Sequence, residues 1–366
     1  MANKDFMLFA GNSHLNFARA VAAELGVPLH EPDESDRRGP TIKWFSNGNV
    51  LVDPKVNVRG KNVFVIQTQA PGRALIGKTE SGEDIFGVNL TVSDMIIELY
   101  WMVHALTCAG ARVTAVTPYL PYIRSDKQDH PRAAIGARTF ADLLTSVGAR
   151  GIVMMEPHFQ QIHGFFDQKQ IKVDAMNMKP IFAYEILKHS EHAKTVFVAP
   201  DIGEAKHLGP FVNMLKMDIA IINKERASDN ESARVQHMVG NVTDRDCWLI
   251  DDETMSGGTL IEAADFCLAK GARSLRAAIC HPVLTSMEGL RKIEEHPLIK
   301  ELLVTDTIPV PPEKRISKLR IRSLVPEFAR AIQILAAQPG EDNSLDAFKE
   351  SLYRPINKLL KLQQII

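Results

Sequence analysis

Asp251 and Asp252 follow the apolar run Trp248-Leu249-Ile250, and Ser256-Gly257-Gly258-Thr259 comes directly after. The apolar run reads as the end of a buried strand. Leu260, Ala263, Ala264, Cys267 and Leu268 recur at helical spacing, with Gly271 as the stop, so a helix opens at the Ser-Gly-Gly-Thr turn. A helix N-terminus carries unpaired N–H groups and the positive end of the dipole, so it attracts phosphate. Gly257 and Gly258 let the backbone approach the anion, and the Ser256 and Thr259 hydroxyls add donors. The two carboxylates can accept hydrogen bonds from a sugar diol or hold a metal. The plain alternative is an acidic strand end followed by a helix cap. The full order of residue types favours a site for a phosphorylated sugar.

Other chemistry-bearing residues fall in clusters. Arg124, Asp126, Lys127 and Arg132 form a basic loop suited to a polyphosphate, or simply a solvated charged loop. His158 follows Pro157 at a strand end, and Asp201 sits in Pro-Asp-x-Gly at another. Each has a structural reading, but together they could bind Mg²⁺ directly or through its waters. Lys224 and Arg226 open a polar stretch over 227–238, expected to be flexible and to close on phosphates; surface charge is the alternative. Phe45, Asn47 and Asn49 flank the turn signal Asn47-Gly48 and could stack on and hydrogen-bond a base, or only make a turn.

These clusters are positioned by alternating strands and helices. Strands are expected at 6–10, 62–68, 112–117, 151–155, 195–199, 218–222, 248–250, 274–279, 301–305 and 318–323, and helices near 15–25, 90–109, 134–147, 180–189 and 325–337. Residues 31–40 read as a surface loop and 70–88 as a mobile, glycine-rich excursion. Such alternation predicts an α/β fold with parallel sheets covered on both faces. Ligands then bind beyond the carboxyl ends of the strands, where all the clusters fall.

The chain has 366 residues, 45% hydrophobic and 24% charged, which suits two soluble domains. A formal net charge of −1 argues against nucleic acid or an anionic membrane as partner. No apolar run matches a membrane span, and no signal-peptide pattern opens the chain. Cys108, Cys247, Cys267 and Cys280 read as buried thiols of a reducing cytoplasm.

Taken in order, the motifs resemble the ribose-phosphate pyrophosphokinase family from about Leu8 to about Ala336. They are Gly11-Asn-Ser-His, Phe45-Ser-Asn, Val58-Arg-Gly, Pro118-Tyr-x-Pro-Tyr-x-Arg124-x-Asp126-Lys127, His158 with Gly164-Phe-Phe-Asp167, Pro200-Asp201-x-Gly203, Lys224-Glu-Arg226, the Asp251-Asp252 motif and Val304-Thr-Asp-Thr-Ile-Pro309. The resemblance implies two similar phosphoribosyltransferase-like domains, each a mainly parallel sheet flanked by helices. Boundaries are expected at 1–173 and 174–330, with a helical extension over 331–366.

It also implies transfer of diphosphate from ATP to O1 of ribose 5-phosphate, giving phosphoribosyl pyrophosphate (PRPP) and AMP, with Mg²⁺ as cofactor and a cytoplasmic homo-oligomer as the working form. Phe45, Asn47, Asn49, Arg124, Asp126, Lys127 and Arg132 would hold ATP. Asp251, Asp252, Ser256, Gly257, Gly258 and Thr259 would hold ribose 5-phosphate. His158 and Asp201 would engage the metal, and Lys224, Arg226 and His158 would serve the transfer. Asn49, Ser125, Glu156-Pro157, Glu204 and Met255 depart from the commonest pattern of the family. A non-catalytic regulatory homologue and a PRPP-using phosphoribosyltransferase are the alternatives.

Overall fold

The computed structural model describes residues 6–32, 40–79, 81–128, 130–226, 234–337, 344–363 and 365; the side chains of 160, 224–226 and 234–236 lie outside the description. The chain begins with β1 (Phe6–Ala10), α1 (Leu15–Leu25) and β2 (Leu29–His30). A hairpin of β3 (Thr41–Trp44) and β4 (Val50–Asp53) precedes β5 (Asn62–Ile66). A second hairpin, β6 (Gly72–Lys78) and β7 (Asp84–Leu90), leads into α2 (Val92–Cys108). Then come β8 (Arg112–Thr117), α3 (Gly136–Ser146), β9 (Gly151–Met155) and β10 (Lys172–Met176). The alternation resumes with α4 (Lys179–His189), β11 (Thr195–Ala199), α5 (Ile202–Leu215), β12 (Asp218–Arg226), β13 (Arg234–Val239) and β14 (Asp246–Thr254). It continues with α6 (Gly258–Ala269), β15 (Ser274–Pro282), α7 (Met287–Glu295), β16 (Ile299–Thr305) and β17 (Leu319–Arg322). α8 (Val325–Leu335), α9 (Leu345–Ser351) and α10 (Arg354–Leu362) close the chain.

Two compact units result. The first comprises Met1–Met176, Thr307–Pro309 and Ser323–Phe348; the second comprises Asn177–Asp306, Val310–Arg322 and Lys349–Ile366. The first unit holds a parallel sheet in the order β10-β9-β8-β5-β1-β2. Its central strands are nearly continuous apolar runs such as Val63-Phe64-Val65-Ile66, because helices cover both faces. Thr91 and Asp94 form a capping box that starts α2, whose Leu99, Met102 and Val103 enter the core. The second unit holds a sheet in the order β13-β12-β11-β14-β15-β16-β17, parallel except for β13. Trp248 is fully buried there, and its indole N–H finds the Ser190 hydroxyl at 2.9 Å.

Several expectations need correction. Residues 70–88 are not a loose excursion but largely the β6–β7 hairpin. Its Asp84 accepts two bonds from Arg19 at 2.6 and 2.8 Å, and Lys78 pairs with Glu31 at 2.6 Å. Part of 227–238 is likewise ordered: β13 pairs antiparallel with β12, Ile221 opposite Val239. Residues 227–233 of that stretch, like 33–39 of the expected 31–40 loop, lie outside the described residues. Cys108 is exposed rather than buried, and Leu268 lies on the exposed side of α6. Pro355 lies in the first turn of α10, where a proline gives up no intrahelical hydrogen bond. The boundary expected at 330 cuts through α8, which instead packs on α1 in the first unit, Phe328 meeting Phe17 edge-on at 5.5 Å. The expected extension divides: 331–348 goes with the first unit and 349–366 with the second, where Ile356 and Leu360 of α10 are buried and α10 lies against α4.

Candidate functional site

In the second unit, β11 and β14 are neighbours and deliver carboxylates at their C-terminal ends. Asp201 caps α5, its Oδ1 accepting the Glu204 N–H at 2.8 Å. Asp251 and Asp252 lie within β14, which runs on to Thr254 alongside β15, Asp251 opposite Ile279. The Asp252 N–H donates to Asp251 Oδ1 at 2.9 Å, and the Glu253 N–H to Asp252 Oδ1 at 2.8 Å. Burial, then a hydrogen bond with Asp252, then the charges of Asp252 and Glu204 push the Asp251 carboxyl up to about 8. Burial also raises Glu204, and the Asp252 and Asp201 charges add to it.

The turn after Asp252 is tightly held. Leu284 N–H donates to Thr254 O at 3.0 Å and Thr285 N–H to Met255 O at 2.7 Å. A Cβ on Gly289 would sit 1.8 Å from Ser256 O, so α7 presses directly on the turn. Gly257 is the N-cap of α6 at φ 78°, a left-handed conformation that glycine adopts without steric cost. Gly258 and Thr259 then form the first turn of α6, where N–H groups have no intrahelical acceptor. The Met255 side chain is 48% exposed beside them.

In the same unit, residues 222–226 of β12 run beyond the last β11 pairing, Ala199 with Ile221, and continue in register with β13. Lys224 pairs with Gln236 and Arg226 with Arg234 in that ribbon.

The first unit presents its own rim. The Phe45–Asn49 turn closes with Phe45 N–H to Asn49 O at 2.8 Å, and the Phe45 ring is 43% exposed with the Lys43 ammonium 5.7 Å from its centre. After β8, Arg124, Lys127 and Arg132 are exposed and Asp126 is half-buried. Ser125 ties this loop to the start of α3: its hydroxyl donates to Ala134 O at 3.1 Å and accepts the Gly136 N–H at 3.0 Å. His158 is exposed after the neighbouring β9. Tyr122, Arg132 and Glu156 on this rim have positive φ, as do Lys55, Lys216, Asp244 and Leu284 elsewhere.

A family model for the N-terminal domain of ribose phosphate pyrophosphokinase matches residues 6–148. The ribose-phosphate pyrophosphokinase of Haemophilus ducreyi is 34% identical over 94% of this chain and 99% of its own length. That of Haemophilus influenzae is 36% identical over 90% of this chain and 95% of its own. The chain belongs to the ribose-phosphate pyrophosphokinase family. The crystal structure of phosphoribosylpyrophosphate synthetase from Mycobacterium smegmatis is also similar, with a TM-score of 0.75 and 31% identity over 90% of this chain and 98% of that one.

The pyrophosphokinase motifs therefore lie at strand ends within each unit. Arg124, Asp126, Lys127, Arg132 and His158 follow adjacent strands of the first; in the second, Asp201 follows β11 and Asp251 and Asp252 lie in the last part of the adjacent β14. Among the described residues, no three or more His, Cys, Asp or Glu side chains group to hold a metal ion. No described helix is long and apolar enough to cross a membrane. Sequence reading did not single out Glu98, a buried carboxylate bonded to Asn12, Gln67 and Trp44. Its only signal is an acidic residue among the apolar positions of α2.

Proposed function

We propose that this chain transfers the β,γ-diphosphoryl group of ATP to O1 of ribose 5-phosphate. The O1 oxygen bonds to the β-phosphorus, the bond from that phosphorus to the bridging oxygen of AMP breaks, and the hydroxyl proton is released. Such transfer depends on positioning and charge neutralisation more than on covalent catalysis. The observation that carries the reading is the Asp251-Asp252 pair followed at once by the Gly257-capped start of α6. In this reading Asp251 and Asp252 accept from the ribose diol, while the N–H groups of Gly257, Gly258 and Thr259 and the Ser256 and Thr259 hydroxyls hold the 5-phosphate. Met255 offers no carboxylate, so the phosphate depends on those neutral donors.

Phe45 stacks on the adenine, with Asn47 and Asn49 amides at its edge; Arg124, Lys127 and Arg132 pair with phosphates, and Asp126 holds that loop's charge balance. Lys224 and Arg226 approach the transferring group. Mg²⁺ bound with ATP would neutralise phosphate charge and orient the phosphates. His158 and Asp201 are the residues assigned to engage it. A cytoplasmic homo-oligomer is the proposed working form. Ile76, Ile85, Phe86 and Val88, exposed on the β6–β7 hairpin, are apolar enough to lie against a second copy. The test is to incubate the protein with ATP, Mg²⁺ and ribose 5-phosphate and assay AMP and PRPP together. Equal amounts of both are expected; tight substrate binding without either product would mean a regulatory homologue.

A further inference from the structure

Glu98 projects from α2 into the first unit and is fully buried. Its Oε1 accepts the Asn12 backbone N–H at 2.7 Å and Gln67 Nε2 at 3.0 Å. Its Oε2 accepts Asn12 Nδ2 and Trp44 Nε1, each at 2.8 Å. Burial outweighs these donors and leaves the carboxyl's pKa raised, although each donor pulls it down. Every partner is an N–H, so a protonated carboxyl would have to turn its O–H toward a donor and lose that bond. The arrangement is satisfied by a carboxylate and not by an amide or an acid.

The donors come from separate stretches of chain. Asn12 belongs to the turn between β1 and α1, Trp44 is the last residue of β3, and Gln67 follows β5. Two of these partners carry the tie further. Asn12 Oδ1 accepts the Leu75 N–H of β6 at 2.8 Å. Gln67 Oε1 accepts the Ser13 N–H at 3.2 Å and the Ser13 hydroxyl at 2.9 Å. A Cβ on Gly11 would lie 2.3 Å from Gln67 Oε1 and 2.7 Å from Glu98 Oε1, so the network closes only around a glycine. Such a network is rigid when complete and costly when one member is missing.

Trp44 directly precedes Phe45 and is the register partner of Val50 across the hairpin. The tip beyond it is shaped by bonds internal to the turn, Phe45 N–H to Asn49 O and Asn49 N–H to Asn47 Oδ1. The indole on Glu98, with its packing against Ala74, Leu90 and Met95, fastens the base of that tip to α2 and the β6–β7 hairpin, beside the core packing of Ile42, Val50 and Val52. We propose that Glu98 is a positioning residue for the nucleotide: through Trp44 it sets the orientation of Phe45, Asn47 and Asn49, and hence affinity for the base. This rests on the reading above that the 45–49 turn takes the base of ATP.

Trp44→Phe removes the indole donor and keeps an aromatic ring; Glu98→Gln turns an amide N–H toward donors. Steady-state kinetics should show KM for ATP raised roughly tenfold in both, with kcat and KM for ribose 5-phosphate within about twofold of wild type. Discrimination between ATP and GTP in kcat/KM should fall as well, which general destabilisation would not produce. If Glu98→Gln does not fold, Trp44→Phe decides alone. Unchanged KM and discrimination in folded Trp44→Phe would overturn the proposal. So would a parallel loss in both KM values and kcat. The wild-type control separates the two readings: no AMP or PRPP from wild type removes the proposed function, whereas normal wild-type turnover beside an unaffected Trp44→Phe removes only the role of Glu98.

Discussion

Asp251 and Asp252 are adjacent carboxylates that burial and mutual repulsion discourage from ionising together. The raised value of about 8 for Asp251, against 3.8 for an ordinary aspartate, has two consequences. The folded protein holds the proton more tightly than the unfolded chain. Its contribution to stability is therefore full below 3.8 and is lost as pH rises through about 8. Wild type should lose melting temperature between about pH 4 and about pH 8, and Asp251→Asn should flatten that fall. For function the sign reverses. A sugar diol donates hydrogen bonds, so it prefers the ionised pair, and ribose 5-phosphate should bind more tightly as pH rises through the same range. Glu204→Gln removes one negative neighbour and should shift that binding midpoint downward. Titrating ribose 5-phosphate against both proteins across this range checks the shift; superimposable profiles would rule out coupling between Glu204 and the pair.

At the scale of elements, the turn after β14 and the β12–β13 ribbon contrast. The turn is clamped by backbone bonds from Leu284 and Thr285 and by α7, which suits the rigid 5-phosphate site proposed for it. In the ribbon, residues 222–226 extend past the last β11 pairing and run antiparallel to β13, the edge strand. An arm of that kind suits cations that must meet charge as it develops on the departing AMP oxygen. Cations acting then lower the barrier more than they tighten ground-state binding. Lys224→Ala should lower kcat by about 10²–10⁴-fold, roughly 3–5 kcal/mol, with much smaller changes in KM. Near-wild-type turnover at saturating ATP and ribose 5-phosphate would show that Lys224 is only surface charge.

At the scale of the whole molecule, the first unit is completed by chain that arrives late. Thr307 O accepts the Thr68 hydroxyl at 2.7 Å, and α8 lays Phe328 against Phe17. Phe328 is fully buried, so Phe328→Ala should remove about 3–5 kcal/mol of stability through lost burial and the cavity left behind. Leu362, 69% exposed, is the control: Leu362→Ala should leave the melting temperature unchanged. Calorimetry on the two variants tests the assignment of α8 to the core; an equal and small effect in both would contradict it.

Local pattern alone placed the parallel strands and the helices between them. Runs such as Gly151–Met155 and 196–199 are apolar throughout, which only a strand buried on both faces requires. The Asp-Asp-to-Gly-Gly-Thr order was readable because its parts are contiguous: strand end, carboxylates and helix start follow one another along fifteen or so residues, within the reach of local geometry. The hairpin at 70–88 was misread because its glycines signal flexibility locally, whereas its order comes from Arg19, Glu31 and Asn12 elsewhere in the chain. The return of α8 to the first unit was hidden for the same reason, since an apolar helix face does not name its partner. Glu98 is the clearest case. Its donors lie 86, 54 and 31 residues away, at Asn12, Trp44 and Gln67. Types and local spacing settled which residues could do chemistry; which distant N–H groups converge on one buried carboxylate was decided only when the tertiary fold brought them together.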